Sequence, residues 1–325
     1  MTVMMRERSR ALDHLPTVRG RYSKDVSMAN ITWFRVGGRA DVMFRPTDLA
    51  DLADFLAKKP RDVPITVLGV GSNVLIRDGG IRGVVIRLGR GFVGIDISGD
   101  RVRAGAGALD VNIAETCAAA GVEGLEFLCG VPGTLGGALR MNAGAYGREI
   151  VDVVVTATAV DGRGAIHELS PAQLDLGYRR SGVPVDWIFV EAVLQGSMSD
   201  ATTIAERIAA IRAAREASQP IRTRTGGSTF ANPAGPGEGE KAWRLIERAG
   251  CRGLRIGGAV VSEKHCNFLI NVGDATASEL ERLGEEVRCR VVATTGIDLR
   301  WEIQRLGEAE AFGSGELGRS GEPGP

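Results

Sequence analysis

The chain has 325 residues, 44% of them hydrophobic, and its 40 Lys and Arg balance its 40 Asp and Glu to a formal net charge of zero. That length can bury one large core or a few compact units, and the neutral balance argues against partners recruited by bulk charge, nucleic acid and membrane surfaces among them. Cys117, Cys129, Cys251, Cys266 and Cys289 are scattered, odd in number and without CxxC spacing, the pattern of reduced thiols in a cytoplasmic protein. With histidine only at 14, 167 and 265, no metal centre is expected. The start of the chain carries Arg6, Arg8 and Arg10 without an apolar run of about 7–15 residues, and no apolar stretch of about 18 residues follows; neither secretion nor membrane insertion is expected.

After an N-terminal extension (1–20), residues 21–90 read as a small α/β unit. The β-prone runs Val42-Met43-Phe44, Ile65-Thr66-Val67-Leu68 and Gly83-Val84-Val85-Ile86 surround a helical pattern at 48–59. Residues 91–217 read as a more β-rich unit, with a helix at 109–120 and strand-like runs at 153–160, 166–169 and 187–194. At 201–217, Ile204, Ile208 and Ile211 fall on one helical stripe opposite a charged face, predicting a bridge between halves. Residues 218–306 form a third unit, with helices at 241–249 and 278–294 and strand-like runs at 268–270 and 299–306. The end, 307–325, rich in Gly, Glu, Ser and Pro, is expected to be a disordered tail.

Two glycine-rich segments carry the strongest chemical signal. Gly130-Val131-Pro132-Gly133-Thr134-Leu135-Gly136-Gly137-Ala138 runs on into Met141-Asn142-Ala143-Gly144-Ala145-Tyr146-Gly147, with side chains expected to be too small for a core and a backbone free to cradle a diphosphate. Gly69-Val70-Gly71-Ser72-Asn73 follows a predicted strand, but Val74 and the lack of a following helix break the dinucleotide fingerprint GxGxxG, and the chain has no Walker A loop. Two such loops after strands suit an elongated dinucleotide.

The other motifs each admit two readings. Tyr178-Arg179-Arg180-Ser181 is a solvated basic turn or a guanidinium clamp for a substrate carboxylate. Thr225-Gly226-Gly227-Ser228-Thr229 presents a serine that is either an inert turn residue or a reactive one. Glu302 alternates in a strand pattern where most glutamates face water, and His265, in an unusually polar segment, is a structural histidine or a ligand contact.

Taken together and in order, Thr32-Trp33-Phe34-Arg35-Val36-Gly37-Gly38, both glycine segments, Tyr178-Arg179, Gly227-Ser228, Asn232-Pro233, Ala249-Gly250-Cys251-Arg252-Gly253, residues 261–271 and Glu302 resemble the UDP-N-acetylenolpyruvoylglucosamine reductases. These UDP-N-acetylmuramate dehydrogenases are flavoenzymes of peptidoglycan precursor synthesis. The resemblance covers residues 30–306 and implies an α+β fold: two FAD-binding subdomains of the para-cresol methylhydroxylase type, then a C-terminal α/β substrate domain. It implies non-covalent FAD, NADPH as reductant, and reduction of the enolpyruvyl ether of UDP-N-acetylglucosamine to the lactyl ether.

By position, the resemblance makes Arg179, Ser228 and Glu302 catalytic. It assigns Arg35, Gly69, Gly71, Ser72, Asn73, Val74, Pro132, Gly133, Thr134, Gly136, Gly137, Asn142, Gly144 and Ala145 to the cofactor, and Tyr178, Asn232 and His265 to the substrate. Ala231 and Ser218 stand where the family often has basic residues, leaving Arg222 and Arg224 as the nearest candidates for the nucleotide diphosphate. The short connection after Arg179 matches the family's form without a tyrosine-bearing insertion. An oxidase tethering flavin through Cys129 and an inactive flavin-binding regulator are the competing expectations; the oligomeric state stays open.

Overall fold

The computed structural model describes residues 13–233 and 239–309. The first unit contains β1 (Arg21–Ser27), β2 (Arg39–Arg45), β3 (Ile65–Val67), β4 (Val74–Ile76) and β5 (Ile81–Ile86), four of which form a sheet in the order β1-β2-β5-β3. β5 pairs in parallel with both β2 and β3, which requires a crossover, here helix α1 (Leu49–Lys58). Asp48 caps α1 by accepting from the Asp51 N–H, and Leu52, Phe55 and Leu56 bury one face against Val42, Phe44, Val84 and Ile86. Residues 13–20, the described part of the extension, also belong here. Leu15 and Val18 pack on this core, and the Arg19 and Gly20 N–H groups donate to the Asp51 carboxylate.

The second sheet is wholly antiparallel. It comprises β6 (Ile95–Ser98), β7 (Arg101–Gly105), β8 (Val154–Val160), β9 (Ile166–Leu169) and β10 (Ile188–Gln195), in the order β9-β8-β10-β7-β6. Helices α2 (Asp110–Ala119) and α3 (Leu135–Met141) lie between β7 and β8 in the chain, and α4 (Ala201–Ser218) follows β10. The expected bridging role of α4 is not what forms: its Ile204 and Ile208 enter the same core as Ile113, Leu128 and Leu139. The stretch beginning at Gly130 departs from expectation too. It forms α3, with Leu135, Ala138 and Leu139 buried, so its larger side chains do help build a core.

The third unit holds α5 (Ala242–Arg248), the antiparallel strands β11 (Arg255–Ile256), β12 (Ala259–Val261) and β13 (Leu269–Asn271), helix α6 (Ala277–Thr295) and β14 (Gln304–Leu306). A capping box between Thr276 and Glu279 starts α6, and Gly296 at φ 74° ends it. Leu245, Ile246, Leu280 and Val287 share a core with Phe34, Val36 and Leu75 from the first unit, and β14 pairs in parallel with β4. The predicted strand over 299–306 survives only as β14 and an isolated bridge from Trp301 to Phe230. Nor does the chain come loose at 307: Gly79 donates to the Glu308 carbonyl and Glu308 donates to that of Gly80, while 310–325, the rest of the predicted tail, lies outside the described residues. No helix among the described residues is long and apolar enough to cross a membrane.

Candidate active site

A cavity of about 700 Å³ opens where the two large sheets face each other, with β14 reaching its edge. Gly69, Val70, Val74, Thr134, Gly136 and Gly137 line it. Backbone proximity explains the glycines. A Cβ on Gly69 would stand 2.8 Å from Thr134 Oγ1, and one on Gly136 would stand 3.1 Å from Ala106 Cβ. Gly71, at φ 70°, would bring a Cβ within 2.9 Å of Thr32 Cα. The second segment is not a continuous nest of free donors, however. It follows a short 3₁₀ turn, Glu126–Gly130, instead of a strand, and the Leu135 and Gly136 N–H groups already bond to the Ala108 and Ala106 carbonyls.

Ser72 is buried beside Gly133, and Pro132 is half-buried in the same segment. Asn73 fastens its loop to the third unit, donating from Nδ2 to the Glu302 carbonyl at 3.2 Å and accepting from the Gln304 N–H at 3.1 Å. Ala145 pairs with Arg148 in a two-residue hairpin alongside Gly144. Of the cofactor candidates, Gly71, Ser72, Asn73, Pro132, Gly133, Gly144 and Ala145 stand outside the cavity lining instead of in it, and Arg35 and Asn142 make contacts of their own. Arg35 is exposed, donates to the Asn30 carbonyl and lies off the cavity wall. Asn142 ends α3 at φ 41°, and its side chain serves the fold, donating to Glu149 and the Gly177 carbonyl and accepting from Val151. Arg140 and Trp187 line the cavity without having been anticipated. Arg140 donates to the Val183 and Trp187 carbonyls, and Trp187 stacks on His167 with ring centroids 4.1 Å apart.

The charged cluster is built on a tight turn. Gly177 and Arg180 exchange two backbone hydrogen bonds of 3.0 Å, which forces Arg179 to φ 57°, a strained conformation for a side-chain-bearing residue. Arg179 Nε comes within 2.8 Å of Glu302 Oε1, close enough for an ion pair though off hydrogen-bond alignment. Its Nη1 is buried without a partner among the described residues, and Nη2 reaches the Gly144 carbonyl at 3.5 Å. Glu302 is not a water-facing strand residue: its side chain is 16% exposed. Burial pushes its carboxyl above the usual range even though Arg179 pulls it down.

Ser228 enters the same neighbourhood through the backbone. It bridges to Phe268, and the next residue, Thr229, accepts the Glu302 N–H at 2.8 Å. Tyr178 lies under the Arg179 guanidinium, 5.2 Å from ring centroid to Cζ, and its hydroxyl accepts the Asn232 N–H at 3.3 Å. Asn232 Oδ1 in turn accepts from Ala242 at the start of α5.

The remaining substrate candidates do not join this cluster. Arg222 is exposed and paired with Glu216, and Arg224 donates to the Gly273 carbonyl. His265 accepts the Asn267 N–H and packs edge-on against Phe268, with burial depressing its pKa. Cys129 is buried with its Sγ turned to the Ile208 carbonyl, an unfavourable setting for a flavin tether.

A cavity between the two large sheets, reached at Gln304 by the segment that carries Glu302, and a buried Arg179–Glu302 pair drawn from the second and third units make up the candidate site; the class of protein, a flavin-binding oxidoreductase, follows from two family matches. Residues 40–170 match the FAD binding domain family, and residues 219–306 match the C-terminal domain of UDP-N-acetylenolpyruvoylglucosamine reductase. Reductases of that name from Rhodospirillum rubrum and Parvibaculum lavamentivorans are 58% and 59% identical to the chain, over 97% and 91% of it and 100% and 94% of their own lengths. The crystal structure of UDP-N-acetylenolpyruvylglucosamine reductase from Thermus caldophilus is similar at a TM-score of 0.77 and 33% identity, covering 90% of this chain and all of that one. The chain belongs to the UDP-N-acetylenolpyruvoylglucosamine reductase family. Its fold is α+β, an FAD-binding unit followed by the family's C-terminal domain.

Proposed function

We propose that this enzyme uses NADPH to reduce UDP-N-acetylenolpyruvoylglucosamine to UDP-N-acetylmuramate, with FAD held non-covalently in the 700 Å³ cavity. The fit to the cofactor rests on Gly137, which lines the cavity and where a Cβ would meet no neighbouring side chain nearer than Thr134 Oγ1, at 4.0 Å. Gly133, Thr134 and the loop 69–73 would hold its diphosphate. When bound, the flavin supplies the hydride, taken from NADPH, that adds to the terminal methylene carbon of the substrate.

The observation that carries this reading is the buried Arg179–Glu302 pair, with a guanidinium donor unpartnered among the described residues, in the same neighbourhood as Ser228. Hydride addition leaves enolate character next to the substrate carboxylate. Arg179 holds that carboxylate and the developing charge. Ser228 gives its proton to the carbon bearing the ether oxygen, a step open to so weak an acid because the enolate is a strong base within reach. An ionised Glu302 would repel the growing charge; burial favours its neutral form, which can donate a hydrogen bond there, and Arg179 opposes that shift. Tyr178, through its bond to the Asn232 backbone, keeps the arginine turn registered on the serine loop.

The test is spectroscopic. The purified protein should carry a flavin spectrum, bleach with NADPH, and recover its colour when the enolpyruvyl nucleotide is added without oxygen. Bleaching without substrate-driven recovery would refute the assignment of substrate.

A further inference from the structure

Residues 300–302 run antiparallel to the serine loop. The Ala231 N–H donates to the Arg300 carbonyl at 2.9 Å and the Glu302 N–H to the Thr229 carbonyl at 2.8 Å, which leaves Phe230 and Trp301 directly opposed between the two bonds. Side chains of such a pair share a face and stand close, and the two ring centroids are 5.1 Å apart. Glu302, the next residue, faces the other way, where Arg179 meets it. Alternation alone gives Trp301 and Glu302 opposite faces without assigning either face a neighbour, and a slip of one residue would exchange them.

The register is fixed by what Trp301 does on its own side. Helix α6 offers a notch at Gly284, where a Cβ would stand 2.2 Å from Trp301 Cη2 and 2.3 Å from Cζ2; the indole fills the space of the missing side chain. Its Nε1 donates to Glu285 Oε1 at 2.8 Å, and the Arg305 guanidinium covers the ring with Cζ 4.6 Å from the centroid. Those two partners are themselves tied down. Arg305 donates to Glu285 at 2.9 Å and to Glu281 at 3.0 Å, and Glu281 accepts from Nε and Nη2 of Arg77, which follows β4 of the first unit, at 2.9 and 2.8 Å. Trp301 thus docks on α6 by shape, by a hydrogen bond and by a cation–π contact, none of which survives a slip of the segment by one residue.

We propose that Trp301 is a positioning residue of the active site: locked into α6 at Gly284 and Glu285, it sets the register of residues 300–302 on the serine loop and thereby turns the Glu302 carboxyl to Arg179. This rests on the reading that Glu302 serves the reduction of the enolpyruvyl group.

The test uses the full-length, flavin-loaded protein and follows bleaching by NADPH and reoxidation by the enolpyruvyl nucleotide separately. Trp301→Ala empties the notch, and Gly284→Ala, a change that favours helix, drives the indole out of it. Both should slow reoxidation by about 10- to 100-fold, the scale for a group misplaced by about an ångström, with flavin content and bleaching at the parent level. Adding Trp301→Phe to Gly284→Ala shortens the ring that collides and should restore most of the rate. In a Glu302→Ala background Trp301→Ala should cost nothing further, because it acts through that carboxyl. A crystal structure of Gly284→Ala should show Glu302 withdrawn from Arg179. Parent-rate reoxidation in either single variant, an equal loss in bleaching, a loss that adds to that of Glu302→Ala, or a Gly284→Ala crystal structure with the Arg179–Glu302 pair intact would overturn the inference. If Trp301→Ala does not fold, Gly284→Ala and its reversal by Trp301→Phe decide. Glu302→Ala by itself keeps the two readings apart. Parent-rate reoxidation there removes Glu302 from the reaction, whereas a slowed Glu302→Ala beside an unaffected Trp301→Ala removes only the present inference.

Discussion

The cavity wall and the ionic cluster solve different problems with different materials. Around the cavity, glycines bring backbone and small side chains together at Gly69, Gly71 and Gly136; the cluster relies on a guanidinium, a carboxyl and a hydroxyl delivered by separate segments. A wall made of close approach is broken by bulk and indifferent to charge. A cluster of charged side chains is broken by loss of a proton or a donor and tolerates little change of chemical type. The two regions therefore answer different perturbations, and the cross-comparison is what experiments can break.

The largest effect is expected at the cluster. Ser228→Ala should lower turnover by about 10²- to 10⁴-fold, the usual contribution of a positioned general acid, while flavin content stays at the parent level. Arg179→Ala should cost about 10²- to 10³-fold in steady-state rate, the scale for removing one donor to a developing oxyanion, again with flavin retained. The wall should respond in the opposite sense: Gly133→Val should shed flavin on gel filtration, and enzyme that keeps its flavin should turn over normally. A Gly133→Val protein with full flavin and a slow chemical step would blur the division.

A smaller effect concerns Glu302 and pH. Its folded-state pKa is raised, chiefly by burial, so the folded protein holds this proton more tightly than the unfolded chain. The associated stability is present at low pH and is lost as pH rises through the ordinary carboxyl range towards the folded value. Relative to Glu302→Gln, the parent should lose stability across that interval in urea unfolding; a relative gain would mean that Arg179 outweighs burial. The smallest effect is at the end of the chain. Truncation after Ala309 should leave the melting temperature unchanged, whereas truncation after Gly307 removes the Glu308 bonds to Gly79 and Gly80, each worth about 1 kcal/mol net.

How much could be read in advance follows the range of the interactions. Helix α1 was legible because its cap, Asp48, and its buried stripe, Leu52, Phe55 and Leu56, lie within a few residues of one another. Strand β1 was missed, since Arg21–Ser27 is polar and only half-buried and owes its form to its partner β2. Helix α3 hid among glycines of poor helix propensity, and forms because Leu135 and Leu139 are buried by the rest of the fold. Glu302 looked like a surface residue because its local alternation is that of an edge strand. Its partners come from far along the chain: Arg179 at its carboxyl, and Thr229 and Asn73 at its backbone, the last 229 residues away. Only the resemblance, and not the local pattern, singled out Arg179, Ser228 and Glu302.

The central claim is that Ser228 donates the proton and takes no part in loading the flavin with electrons. Rapid mixing of the Ser228→Ala holoenzyme separates the two events. NADPH should bleach its flavin at the parent rate, and reoxidation of the bleached enzyme by the enolpyruvyl nucleotide should carry the whole loss. Parent-rate reoxidation, or a loss confined to bleaching, would contradict it.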